Sequence, residues 1–251
     1  MTIRFSTGLR NELASKNGFS SCFNKGSINI YSGTQPATAD SAVTGTLLGT
    51  VTLSSGTLTQ ETRASATITV SGSAGSINTV TVGGLNIIPS GAVAFITDAS
   101  TTAAALCLAI NTDGMFDATV SGAVVTVKPH AGAGTTFNGV ALATTVTTLT
   151  ATSSGNLTGG VAAVNGLTFA APSGGVLTKT GAWSFNGAAS GTAGWFRLIG
   201  SESDAGGSST TAIRMDGSVA VSGADMNLSN ISISIGAPNT VDTFQVTFPA
   251  Q

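Results

Sequence analysis

The sequence predicts a mainly β protein: a β-sandwich or jelly-roll-like outer domain carrying an inserted small α+β module with one helix. Three observations lead there. Short runs alternate in character with period two, as in Ile28-Asn29-Ile30-Tyr31 and again at Phe244, Val246 and Phe248, the pattern of half-buried strands. Glycine, asparagine and proline bound these runs at short intervals, as turns between strands require. Residue usage also changes style twice. Between about 64 and 163 the chain runs almost wholly on Thr, Val, Gly, Ala and Ser, and the earlier style returns afterwards. Residues 1–63 and 164–251 are therefore expected to form one discontinuous β-sandwich-like domain. Residues 64–163 are the insertion, a change tolerated at an exposed loop.

The elements follow in order. Residues 1–5 alternate Met1, Ile3 and Phe5 with Thr2 and Arg4 and read as an extended arm that adds to a sheet, its own or a neighbour's. A helix is expected over 6–16 (STGLRNELASK), capped by Ser6 or Thr7 and ended by Asn17-Gly18. Leu9 and Leu13 give it one narrow apolar face, so it docks on something. Ile3, Phe5, Leu9 and Leu13 are the suspected subunit contact. A strand at 26–31 leads into a loop at 32–42 (SGTQPATADSA), where Pro36 cannot donate to a ladder; TLLGTVTL at 46–53 resumes extended structure.

In the insertion, TITVSG, NTVTVGGLNIIPSG and VAFITDA are extended runs. STTAAALCLAIN (100–111) predicts a helix capped by Asp98 or Ser100, with Ala103, Leu106 and Ile110 on its buried side. FDATVSG and AVVTVKP follow as strands hinged at Gly122, and GVALATTVTTLTATSSGNLTGG is extended again. The expected module is one helix on a mainly antiparallel sheet.

Beyond it, AWSFNGAASGTAGWFRL (182–198) reads as two strands joined by a turn. Gly187, Ala188, Ala189 and Gly191 are small enough for close approach of another backbone or a bulky side chain. Large aromatics bury the most apolar area, so Trp183, Phe185, Trp195 and Phe196 are the expected core of the outer domain. Further alternation at 218–221 and 231–235 predicts strands in the tail.

Charged residues make up 8% of the chain, against about 25% in an average soluble domain. So little charge suits a β protein whose surface is covered by neighbours. A net charge of −2 with scattered Lys and Arg leaves no basic footprint for nucleic acid. The start lacks the apolar run of a signal peptide, and no window is long and apolar enough to span a membrane. Cys22 and Cys107 are expected as buried free thiols made in a reducing cytoplasm.

The chemistry-bearing residues form no recognisable set. His130, the single histidine, lies in a Gly-rich turn and is expected as an exposed loop residue. One His with two distant Cys does not make a zinc site, and no acidic pair stands beside aromatic platforms as glycoside hydrolysis would need. Glu202 and Asp204, in SESDAGG, are a conceivable calcium pair but lack the fixed steps of an EF-hand and are expected as a solvated loop. Arg197 is expected at the surface, with pairing to an acid at a subunit contact as the alternative. No catalytic site, metal or cofactor is expected.

Three segments carry a resemblance: GSINIYSGTQPATADSAVTGTLLGTVTL (26–53), GTAGWFRLIG (191–200) and DGSVAVSGADMNLSN (216–230). They resemble small structural proteins of tailed bacteriophages, with Met226 standing where Leu is expected. The insertion, with AAALCLAIN, is similar to β-rich inserts of phage tail and capsid proteins. Together these cover roughly four-fifths of the chain. The resemblance implies a non-enzymatic virion component, a minor capsid or decoration protein binding the capsid shell. The alternative is a tail or fibre component acting as an adhesion or carbohydrate-binding module. The implied partners are the major capsid protein or other virion proteins, with no nucleic acid and no membrane. Strand edges and apolar faces that need cover add a homo-oligomer, a trimer favoured. The implied location is the virion, after synthesis in the host bacterial cytoplasm.

Overall fold

The computed structural model describes residues 3–15 and 18–248, and is mainly β with antiparallel sheets. Met1 and Thr2 of the expected arm, and the helix exit at Lys16–Asn17, lie outside the described residues. The chain divides into two compact units, Met1–Glu61 with Ala163–Gln251, and Thr62–Ala162.

The first unit is built on a seven-stranded sheet. Its main path runs Arg4–Phe5, Arg214–Ala220, Gly191–Ile199, Ser27–Ser32, Leu47–Val51, with all four pairings antiparallel. Met226–Asn227 adds in parallel to Arg214–Ala220, and Ser232–Ile233 pairs with Gly191–Ile199. A three-stranded sheet (Thr168–Phe169, Val176–Thr180, Gln245–Thr247) and the pair Ser184–Asn186 with Pro238–Thr240 complete the unit.

Alternation along the central strand sends Phe196 and Leu198 into the core, where they join Ile28, Ile30, Leu48 and Met215 from the same sheet, Leu177 and Phe185 from the smaller sheets, and Trp183 and Phe244 just before strands of those sheets. Two glycines make room for this packing. A Cβ on Gly49 would sit 2.3 Å from the Phe185 ring, and one on Gly187 2.2 Å from the Ser234 carbonyl oxygen. Trp183 holds φ at +34°, a conformation bulky residues rarely adopt. Phe169 and Phe244 enclose its ring at 5.4 and 5.2 Å.

Segment 182–198 holds the two strands expected, but they do not pair with each other. Ser184–Asn186 pairs with Pro238–Thr240, while Gly191–Ile199 pairs with strands of the large sheet. The small residues between them let the chain cross from one sheet to the other, with the Ala188 N–H bonded to the Leu48 carbonyl at 2.8 Å.

Near the N-terminus, Arg4–Phe5 pairs with Asp216 and Met215 of its own chain. Helix Thr7–Ser15 follows, its start capped by the Ser6 hydroxyl accepting from the Leu9 N–H at 3.1 Å. Leu9 is fully buried in the core, Phe5 and Leu13 pack against it, and Ile3 is exposed. A short helix over Phe19–Phe23 had no signature beyond the i, i+4 spacing of its two phenylalanines, whose rings meet at 4.8 Å. Between them Cys22 is buried, and burial pushes its thiol up to about 12.

The second unit holds two four-stranded sheets rather than the single sheet expected. One contains Leu142–Thr147, Ser76–Val82, Leu85–Asn86 and Val93–Ala94; the other runs Thr150–Ser153, Ala66–Ser71, Val124–Pro129, Phe116–Ser121. The extended tail of the module splits between them at Thr148, where φ is +62°, placing one half in each sheet. Helix Ala99–Asp113 is capped by Asp98, whose carboxylate accepts from the Thr101 N–H at 2.8 Å, and ends at Gly114 in the left-handed region. Ala103, Leu106 and Ile110 are buried in this unit's core with Ile68, Val125 and Phe116. Asn111 on the helix acts as a substitute strand. Its amide accepts from the Ala118 N–H at 2.9 Å and donates to the Ala118 carbonyl at 3.0 Å, closing part of an open sheet edge.

Each unit has its own core, and in the first unit Thr59 and Val164 pair, which brings the two ends of that unit's chain together. Deleting 62–162 and joining the flanks by a short Gly/Ser linker should leave a cooperatively folded protein. Thermal unfolding followed by tryptophan fluorescence checks this, because both tryptophans lie in the retained unit; a broad, non-cooperative transition would count against it.

Candidate functional site

The face of the seven-stranded sheet opposite the aromatic core is charged, yet it is buried. The same alternation that sends Phe196 and Leu198 inward places Trp195 and Arg197 on this second face, with Arg214, Asp216 and Ser218 from the neighbouring strand and Asn29 and Tyr31 from the other side. Register then does the pairing. Arg197 stands directly opposite Asp216, and its guanidinium holds the carboxylate at both oxygens, Nε to Oδ1 at 2.7 Å and Nη2 to Oδ2 at 2.8 Å. Exposure is 1% for Arg197 and 0% for Asp216. Arg197 is therefore not a surface arginine awaiting a subunit: its acid is in its own sheet. Tyr31 stacks on Trp195 at 4.5 Å, and the Arg197 guanidinium carbon lies 5.6 Å from the Trp195 ring centre, a cation–π contact.

A second pair stands beside the first. Arg214 donates from Nε and Nη2 to the two oxygens of Asp204, each at 2.5 Å, while the Gly206 N–H donates to Asp204 Oδ1 at 2.8 Å. Asp204 is thus not the solvated loop carboxylate expected, nor an open calcium ligand. Among the described residues no group of three or more His, Cys, Asp or Glu side chains could hold a metal ion.

What lies over this face is the loop at 33–46, the TQPATADSA stretch. A connection of this length without secondary structure is uncommon in a compact domain, and here it is clipped down along its length. Arg4 donates to the Pro36 carbonyl, Arg214 to that of Ala39 at 3.4 Å, and Arg197 to that of Ser41 at 3.1 Å. Asp40 accepts from the Thr7 hydroxyl at 2.6 Å and the Thr7 N–H at 2.8 Å, tying the loop to the first helix. The Val43 N–H reaches the Gly206 carbonyl at 2.8 Å. Three arginines on three strands thus grip three carbonyls of one loop.

The ionisation of the cluster follows from these contacts. Burial pushes Asp216 above the ordinary carboxylate range, against the pull of Arg197. Burial would do the same to Asp204, but hydrogen bonds from Arg214 and Gly206 outweigh it and hold that carboxyl low. Asp40 is held low chiefly by the Thr7 hydroxyl, and burial pushes the Tyr31 phenol up. Each of these carboxylates is committed to an arginine, a backbone N–H or a hydroxyl. What the arrangement does is fix a loop whose outward residues, among them Thr34, Ala37, Thr38 and Ala42, are small and uncharged.

The other sequence-selected residues lie elsewhere. Trp183, Phe185 and Phe196 belong to the aromatic core, whereas Trp195 belongs to the charged face. In the second unit His130 is not an exposed turn residue: its Nδ1 lies 3.3 Å from Asp117 Oδ1, and its Nε2 meets the Gly114 carbonyl. Arg63 binds the other Asp117 oxygen. Burial alone would raise the Asp117 carboxyl, but His130 and then Arg63 hold it well below the usual carboxylate range. A depressed carboxyl stabilises the fold above its unfolded pKa of about 3.9 and loses that contribution as pH falls toward the folded value. Acid should therefore loosen the second unit below about pH 4, and Asp117→Asn should flatten that limb. Amide hydrogen exchange across 116–130 as a function of pH reads both; an unchanged acid limb in Asp117→Asn would contradict the assignment.

The fold and the site together define a two-unit, mainly β chain whose larger unit presents a loop locked by buried charge. No protein-family model matches the chain, and no curated protein matches it.

Proposed function

We propose that the chain is a non-enzymatic structural protein of a tailed-bacteriophage virion, a minor capsid or decoration protein that docks on the capsid shell through the clamped face of its larger unit. One observation carries the reading. The three phage-like segments, 26–53, 191–200 and 216–230, are far apart in the chain yet supply the four adjacent strands Leu47–Val51, Ser27–Ser32, Gly191–Ile199 and Arg214–Ala220, and the loop those strands hold. They converge on one structural feature rather than scatter over the molecule. A preformed loop also lowers the ordering cost of docking, and its small, uncharged outward residues suit a surface that neighbours cover. A second copy of the chain, in a trimer, is part of the same proposal.

Immunogold labelling and mass spectrometry of purified particles, from a phage with the gene intact and from one with it deleted, test the reading. Regular label over the head, absent from the deletion, is the expected result. Label confined to the tail or fibres would move the assignment to an adhesion module, and absence of the chain from particles would overturn both.

A further inference from the structure

The second unit carries a surface whose chemistry is unusually uniform. Its sheet of Thr150–Ser153, Ala66–Ser71, Val124–Pro129 and Phe116–Ser121 buries one face, with Ile68, Val70, Val125 and Val127 in the core. Register sorts the opposite face into rows. Thr67, Thr126 and Thr119 stand side by side in one. Thr152, Thr69, Val124 and Ser121 form the next, and Thr150 and Ser71 a third. Thr69, Ser71, Thr119, Ser121, Thr150 and Thr152 are exposed, and Thr67 and Thr126 half-buried.

Cross-strand hydroxyl pairs in sheets commonly bond to one another. The module's other sheet does so: Thr79 meets Thr145 at 2.7 Å and Asn78 donates to Thr147 at 2.9 Å. On the three rows, by contrast, no hydroxyl makes a hydrogen bond to another described side chain or backbone group. Charge begins only in the adjoining row, at Lys128 opposite Asp117, and Asp117 is already engaged by Arg63 and His130.

Neighbouring strands lie about 4.7–4.9 Å apart and alternate residues about 6.6–6.8 Å apart, so the hydroxyls form a two-dimensional grid. Threonine is restricted at χ1, which limits the directions each hydroxyl and methyl can take before anything binds. Every hydroxyl can donate once and accept twice, and the methyls offer apolar contact beside it. A surface with no charge and interleaved hydroxyl and methyl groups complements a polymer with no charge and interleaved hydroxyl and C–H groups.

We propose that this face is a docking surface for a neutral polysaccharide. Each contact exchanges a water hydrogen bond for a sugar one and gains little by itself, so binding is weak for a single chain and grows when many copies are presented together. The inference does not rest on the virion reading.

Affinity electrophoresis of the full-length protein through native gels containing dextran, hydroxyethylcellulose or galactomannan tests it, with alginate as a charged control. Retardation by at least one neutral polymer is expected, unaffected by added salt because no ion pair is involved. The variant Thr67→Val/Thr126→Val/Thr119→Val keeps β-branching while removing one row of hydroxyls, and should weaken retardation about tenfold. Thr79→Val on the other sheet should leave retardation unchanged. If the triple variant loses its native circular dichroism, Thr119→Val with Thr152→Val, both at exposed positions on outer strands, replaces it. No retardation in any neutral polymer, retardation abolished by salt, or full retention by the row variants would each overturn the proposal.

Discussion

Replacing Asp216 with alanine should destabilise the larger unit by about 3–5 kcal/mol, the cost of leaving a buried charge without its partner. The Arg197 guanidinium has no route to solvent, being 1% exposed with the Trp195 ring beneath it and the loop at 33–46 over it. Without Asp216 its remaining anchor is the Ser41 carbonyl, a neutral acceptor. Removing both charges should be far milder. Arg197→Met with Asp216→Leu exchanges an ion pair for apolar packing of similar volume, a change that is often neutral or stabilising. Urea unfolding followed by tryptophan fluorescence measures the unit alone. Limited proteolysis reads the loop, which should be cut sooner in both the single and the double variant because the Ser41 clip is gone from one and weakened in the other. A loss below about 1 kcal/mol for Asp216→Ala, the range of an exposed pair, would mean that the pair is solvated.

That contrast between stability and loop order bears on why the charges are there. A hydrophobic face would fold the sheet at least as well, since burying ions costs free energy that their attraction only partly returns. What apolar residues cannot do is bond to carbonyls. Arg4, Arg197 and Arg214 each supply a donor to a loop whose backbone would otherwise have to find water or move. Donors to the loop's carbonyls are what the charged face has and an apolar face would lack.

The strands were legible because their cause is local. Ile28 and Ile30, or Phe196 and Leu198, show a period of two whatever surrounds them, and the helix over 99–113 announces itself through Asp98, Ala103, Leu106 and Ile110. The mainly β class follows from those signals. The second face was not legible, for a physical reason. In Arg214-Met215-Asp216-Gly217-Ser218 the polar positions alternate as they would on a solvated strand, and all of them are buried. What buries them is a loop more than 150 residues away in sequence, gripped by hydrogen bonds such as Arg197 to Ser41. Alternation tells which residues share a face and says nothing of what covers it. The same gap explains His130, whose partners Gly114 and Asp117 reach it only once the strands Phe116–Ser121 and Val124–Pro129 have paired. The separate partners of the two strands in 182–198 were hidden for the opposite reason. Glycine and alanine between two aromatic runs permit a tight turn and permit a crossing between sheets equally well; here the chain crosses, and the Leu48 carbonyl takes the Ala188 N–H.

Truncating Trp195 to alanine should cost about 3–5 kcal/mol, the range for a buried aromatic removed from a packed site. The ring is fully buried, but it does not belong to the aromatic core that holds Trp183. It is a spacer on the charged face, with Tyr31 stacked on it at 4.5 Å and the Arg197 guanidinium near its ring. Alanine would leave a void bounded by a phenol and a guanidinium, neither of which can collapse without giving up its own partners. Loss of the cation–π contact would add to the cavity term. Trp195→Phe keeps a ring for both neighbours and should recover more than half of the loss. The sharper expectation concerns where the damage goes. Because Arg197 is positioned by the ring, Trp195→Ala should accelerate cleavage within 33–46 at protein concentrations and temperatures where the variant is still folded, while Phe185→Ala, which opens the opposite face of the unit, should destabilise without freeing the loop first. Urea unfolding gives the first quantity and timed proteolysis under native conditions the second. A near-neutral Trp195→Ala would place the ring at the surface as an exposed platform, and equal loop protection in Trp195→Ala and Phe185→Ala would remove the link between the ring and the clamp.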